Sequence, residues 1–97
     1  MRISDFQKII WDIYFEKDSR RGLGKTFMWF MEEVGELAEA LRKGNREEIG
    51  EEMADVLAWL TSLANLVGVD LEQEVRRKYG KGECPRCGQK PCVCKET

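Results

Sequence analysis

The feature that most constrains the fold is a helix-period distribution of apolar residues over the first eighty positions, in a chain of 97 residues whose two prolines both lie in its cysteine-rich end. Phe6, Ile9, Ile10, Ile13 and Tyr14 recur at intervals of three and four, a spacing that gathers side chains on one face only if the backbone is helical. Ser4 with Gln7 three residues on reads as a capping box, so a first helix is expected from Ser4 through about Phe15. Lys17 to Gly24 is polar and contains glycine, and reads as a connector. Phe27, Phe30, Met31, Val34, Leu37, Ala38 and Leu41 then form the stripe of a long second helix that stops at Gly44. Asn45 with Glu48 opens a third helix, whose Ile49, Met53, Val56, Leu57, Leu60, Leu63, Ala64 and Val67 share a face as far as Gly68. Asp70 with Gln73 opens a shorter fourth, through Leu71 and Val75 to about Tyr79. No strand pattern competes, so the expected class is all-α: a four-helix unit over 1–80 followed by a cysteine tail over 81–97.

Composition removes several functions. Sixteen Lys and Arg against 18 Asp and Glu leave a net charge of −2, too little positive field to hold a phosphate backbone by counterion release, so nucleic acid is not the expected partner. The longest apolar stretch, Val56 to Val67, is broken by Thr61, Ser62 and Asn65, well short of the ~20 residues that cross a bilayer. The opening MRISDFQKII places acid and amide where a secretion signal would carry basic residues, and the expected compartment is cytoplasmic. The chain has no histidine, so Ser–His and Cys–His nucleophiles are excluded, as are di-iron bundles built on Glu-x-x-His, and carboxylates must carry any catalysis. About 80 residues of helix make a small core. Trp11, Trp29 and Trp59 exceed what it readily hides, so self-association or a ligand is expected to cover some of them.

Two acid pairs organise the candidate site. Glu33 and Glu36 lie at i, i+3 on the second helix, and Glu52 and Asp55 do so on the third. Counting outward from the Gly44–Asn45 turn at ~1.5 Å per residue, an antiparallel hairpin levels Glu36 with Glu52 and Glu33 with Asp55. Trp29 and Trp59 flank the acids on either helix. Two like charges ~5 Å apart at an effective dielectric of ~20 repel by roughly 3 kcal/mol, so four in one cleft call for a cation. Oxygen ligands without His or Cys favour a hard ion, Mg²⁺ before Zn²⁺, with Mn²⁺ as a substitute. The competing reading of these acids is a solvated helix face. Against it stand Gly35 and Gly50, which cost helix stability of about 1 kcal/mol each and are expected to permit close helix approach.

The spacing Glu33-x-x-Glu36, fifteen residues, Glu52-x-x-Asp55, within EEVGELAEAL and EEMADVL, resembles the signature of the MazG-like nucleotide pyrophosphohydrolases. The resemblance spans Thr26 to Tyr79 and takes in ANLVGVDLEQEV at Ala64 to Val75. It implies the all-α NTP pyrophosphatase fold, assembled as a homodimer or homotetramer, that cleaves a nucleoside triphosphate to monophosphate and pyrophosphate with Mg²⁺. In that reading Glu33, Glu36, Glu52 and Asp55 ligate the metal, and one of them, Glu33 first, orients the attacking water or takes its proton. Arg21, Lys25, Lys78 and Lys81 are either phosphate contacts or ordinary surface charges; Trp29 and Trp59 either stack on a base or fill a core or subunit interface. Beyond Lys78 the chain departs from the family pattern of further Lys, Asn and Arg residues and turns into the cysteines. Gly24-Lys25-Thr26 is no P-loop, because Ser19 stands where the first glycine belongs and no strand precedes it.

Cys84-Pro-Arg-Cys87-Gly and Cys92-Val-Cys94 form C-x2-C-x4-C-x-C, whose first half resembles a zinc-ribbon knuckle. Four thiolates suit a structural, tetrahedral Zn²⁺ in a reducing compartment, with a site shared between subunits, an iron–sulfur centre and free thiols as the alternatives. The function opposed to hydrolysis is a non-enzymatic helical oligomer that acts as an interaction module through this zinc knuckle.

Overall fold

The computed structural model describes residues 1–96. Among them are four helices and no strand: α1 (Ile3–Arg21), α2 (Leu23–Lys43), α3 (Arg46–Val67) and α4 (Leu71–Tyr79). The expected all-α class holds.

Four of the predicted stop and start signals act as read. Gly44 and Gly68 end α2 and α3 in the left-handed region at φ 78° and 73°, where a side chain would be strained. Asn45 Oδ1 accepts from the Glu48 backbone N–H at 3.1 Å, and Asp70 Oδ1 accepts from that of Gln73 at 3.1 Å.

The first helix differs at both ends. Its N-cap is Arg2, whose backbone N–H donates to Asp5 Oδ2 at 2.8 Å, so Ser4 lies inside the helix and is no cap. At the other end the helix runs on through Lys17 to Arg21, and the expected connector shrinks to Gly22, at φ 88°. The polar run EKDSRR carries no glycine or proline to stop it, and only its Asp18 is buried. Gln7, freed from capping, ties α1 to the far end of α3. Its Nε2 donates to Asn65 Oδ1 (3.0 Å) and Val69 O (2.7 Å), its Oε1 accepts from Leu71 N–H (3.0 Å), and Asn65 Nδ2 donates back to Gln7 O (3.3 Å). This clamp fixes the α3–α4 turn against α1.

The α2–α3 hairpin is the main packing unit, with α1 laid across α3 and α4 on α1. Little of its apolar surface is fully covered: Ile10, Ala40 and Ala64 are the buried hydrophobics, beside buried Thr26, Thr61, Ser62, Asn65 and Asp18. The stripes read as a core seam divide instead. Phe30, Val34, Leu37, Ile49, Val56 and Leu63 are at least partly covered, whereas Phe27, Met31, Met53, Leu57 and Leu60 stand about half exposed. The radius of gyration is 15.7 Å, against about 12–13 Å for a compact chain of this length. Gly35 and Gly50 do not serve close approach within the chain, since a Cβ on either would meet nothing within 4 Å.

Candidate functional site

The hairpin brings the predicted acids together. Glu33, Glu36 and Glu52 each offer a carboxylate oxygen, and the three lie within 4.8 Å of one another. The register that the Gly44–Asn45 turn imposes places Glu36 opposite Glu52, and the i, i+3 spacing adds Glu33 on the same side of α2. Asp55 stands outside that trio but close enough that its charge raises the proton affinity of both Glu33 and Glu52.

The electrostatics are those of a cleft that lacks positive charge. Burial first, then the charges of Glu36 and Asp55, push the Glu33 carboxyl from 4.5 up to about 7. Burial and the Glu36 charge also push Glu52 up. Glu33 Oε2 and Glu52 Oε2 are buried with no hydrogen-bond partner, although buried acceptors are ordinarily satisfied. Three clustered oxygens, two of them orphaned, and no nitrogen or sulfur ligand form a donor set suited to a hard divalent ion such as Mg²⁺.

Asp55 also belongs to a neighbouring cavity of about 170 Å³, lined by Tyr14, Asp18, Arg21, Trp59 and Ser62 among others. Asp18 is 2% exposed. Its Oδ1 accepts from Arg21 Nη1 at 2.8 Å, whereas its Oδ2 is buried and unpartnered. The Arg21 guanidinium lies 5.0 Å over the Trp59 ring, which fixes the indole plane. Asp55 thus joins two compartments, an acidic cleft and an aromatic-walled cavity with a buried, unpartnered acceptor on a lining residue. Sequence reasoning missed Asp18 and Tyr14, although Ile10, Tyr14 and Asp18 recur every four residues and would have carried the helix past Phe15.

The remaining predicted residues are placed less centrally. Trp59 walls the cavity, while Trp29 is 47% exposed one turn before Glu33. Lys25 is exposed about 12 Å before Glu33 along α2, on the first turn of a helix preceded by a helix, which removes the P-loop likeness. Lys78 lines a groove with the cysteines and sits 5.6 Å over the Tyr79 ring, on a helix that packs against α1 rather than α2. Arg21 is engaged by Asp18 and Trp59.

An all-α hairpin that gathers acids from i, i+3 pairs on both arms defines a class of carboxylate-lined helical sites. The family model for the MazG nucleotide pyrophosphohydrolase domain matches residues 22–83, from the glycine before α2 to the edge of the cysteines, and the chain belongs to that family. No curated protein matches it.

Proposed function

We propose that the chain is a homo-oligomeric, Mg²⁺-dependent nucleoside triphosphate pyrophosphohydrolase that converts canonical or damaged (d)NTPs to the monophosphate and pyrophosphate. The observation that carries the reading is the Glu33, Glu36 and Glu52 cluster, with two orphaned buried oxygens, opening through Asp55 onto the Trp59 cavity. Glu33, Glu36, Glu52 and Asp55 would hold the ion. When bound, Mg²⁺ (or Mn²⁺) neutralises polyphosphate charge, polarises the α-phosphoryl group and acidifies water. Glu33 orients the attacking water and accepts its proton. A cation among the acids opposes the rise in its proton affinity, so Glu33 is ionised and competent as a base at neutral pH.

The cavity receives the base. Trp59 offers a face for stacking, and Asp18 Oδ2 offers one unpartnered acceptor beside the Arg21 donors. An acceptor beside a cationic donor matches an N–H group next to a carbonyl or ring-nitrogen acceptor, a pair found on the edge of every nucleobase, so the cavity supports base binding without choosing the base. Trp29 is a second stacking surface. Neither Lys25 nor Lys78 lies with the acids in one chain, so we assign their phosphate contacts to the neighbouring chain of a dimer or tetramer. The half-exposed Phe27, Met31, Met53, Leu57 and Leu60 support such an assembly. Residues 1–80 form the catalytic unit and 81–97 a separate tail. We place the chain in the cytoplasm, where a cluster of four thiols suits metal binding better than disulfides, and no single helix among the described residues is long and apolar enough to cross a membrane. Family membership weighs against the non-enzymatic interaction module.

A panel of nucleoside triphosphates assayed for pyrophosphate release with Mg²⁺ tests this reading. Glu36→Gln and Asp55→Asn should each lower the rate by at least about 100-fold. Wild-type rates in both variants, or release of orthophosphate in place of pyrophosphate, would overturn it.

A further inference from the structure

Among the described residues after α4, 80–96, there is no helix, no strand and no apolar centre: Val93 is 70% exposed, and few backbone hydrogen bonds order the tail, among them Gly88 N–H to Cys84 O (2.8 Å) and Cys84 N–H to Gln89 O (3.0 Å). A stretch of this composition cannot offset its conformational entropy by burial. It nevertheless folds its four thiols onto one point. All four Sγ atoms lie within 4.8 Å of one another, with Cys84 to Cys94 at 3.8 Å and Cys87 to Cys92 at 3.9 Å. Four sulfurs at ~2.3 Å from a central ion sit about 3.8 Å apart along each edge of a tetrahedron. These two pairs therefore have the separation that a tetrahedral ion imposes.

The backbone explains why this short spacing suffices. Gly88 takes φ 70° directly after Cys87 and reverses the chain, so that Cys84 and Cys87 turn inward from one knuckle. The Cys94 N–H donates to Cys92 Sγ at 3.3 Å, which curls the tight Cys-x-Cys arm back on itself. All four ligands come from one chain, so the site needs no partner subunit, and four contacts fill a tetrahedron and leave no position for substrate.

We propose that Cys84, Cys87, Cys92 and Cys94 of a single chain bind one Zn²⁺ as a closed structural site that folds the tail, independently of the carboxylate cleft and of any hydrolysis there. The ion replaces the missing apolar core, and folding of the tail is coupled to its binding. It thereby fixes the groove of about 850 Å³ that Lys78, Arg86 and Lys90 share with the cysteines.

The test is elemental analysis with X-ray absorption on full-length protein purified without added metal. One zinc per chain with four sulfurs at ~2.3 Å is expected, and Cys84→Ser should lose the zinc. Trypsin reports the tail: the zinc-loaded wild type should resist cleavage after Arg86, whereas Cys84→Ser should be cut there while circular dichroism shows the helical signal retained. Cys94→Ser repeats the comparison from the opposite arm. Iron in place of zinc, substoichiometric zinc with four readily titrated thiols, or equal trypsin resistance with and without the ion would overturn the proposal.

Discussion

Removing divalent ions should make the stability of the helical unit fall as pH rises, an unusual direction for an acid-rich protein. In the folded chain Glu33 titrates at about 7, in the unfolded chain at 4.5. Between those values the folded state binds more protons, so the contribution is fully present below about pH 4.5 and is lost as pH rises through about 7. The full difference corresponds to about 3 kcal/mol, and screening at a partly solvated cleft leaves about 1–2 kcal/mol. Glu52 is raised as well and acts in the same sense. Glu72, held down by the Ser4 N–H, has the opposite sign but acts below 4.5, outside the window. For a domain of this size the melting temperature should fall by about 5–15 °C between pH 5 and pH 8. The assay is thermal circular dichroism at one protein concentration after dialysis against divalent-free buffer. Glu33→Gln, which keeps the shape and removes the charge, should flatten the slope, and Mg²⁺ at about 100 times its Kd should restore about 2.7 kcal/mol at pH 8. A wild-type melting temperature that is constant or rises from pH 5 to pH 8, or an unchanged slope in Glu33→Gln, would refute the reasoning.

Three further outcomes follow from other parts of the molecule. Gln7→Ala should destabilise the fold by about 1–3 kcal/mol in urea titrations, because it orphans Asn65, Val69 and Leu71 groups at the α1–α3–α4 clamp. Asp18→Ala should raise the KM for the preferred nucleotide about 10- to 100-fold in steady-state assays, with a smaller effect on its kcat. Leu57→Glu, on the half-exposed face of α3, should shift the protein toward monomer in sedimentation velocity while leaving its helical signal intact.

The hairpin was legible in the sequence because its signals are local. Gly44 and Gly68 sit where only a glycine is unstrained, Asn45 and Asp70 cap the helices that follow them, and i, i+3 acids share a helix face wherever that helix lies. Once the turn between α2 and α3 was placed, the meeting of Glu36 with Glu52 was arithmetic. What escaped depended on distant contacts. Gln7 looks like a capping residue until Asn65 and Leu71 compete for it. The run from Lys17 to Arg21 is polar because its buried contacts are made by charged side chains, Asp18 and Arg21, so no apolar periodicity marked it as helix. Asp18 acquires its role only because Trp59, forty-one positions on, carries Arg21 over its ring. The glycines at 35 and 50 were assigned to helix contact, and the chain leaves both in open space.

The central claim, that the α2–α3 carboxylates hold the catalytic ion, is tested most directly by anomalous diffraction from crystals grown with Mn²⁺ and a nonhydrolysable nucleoside triphosphate analogue. The account predicts a manganese peak within about 2.5 Å of oxygens from Glu33, Glu36 and Glu52, with the analogue's phosphates at the same peak and its base against Trp59. Manganese bound elsewhere, or an analogue seated away from this cleft with the three carboxylates turned to solvent, would contradict it.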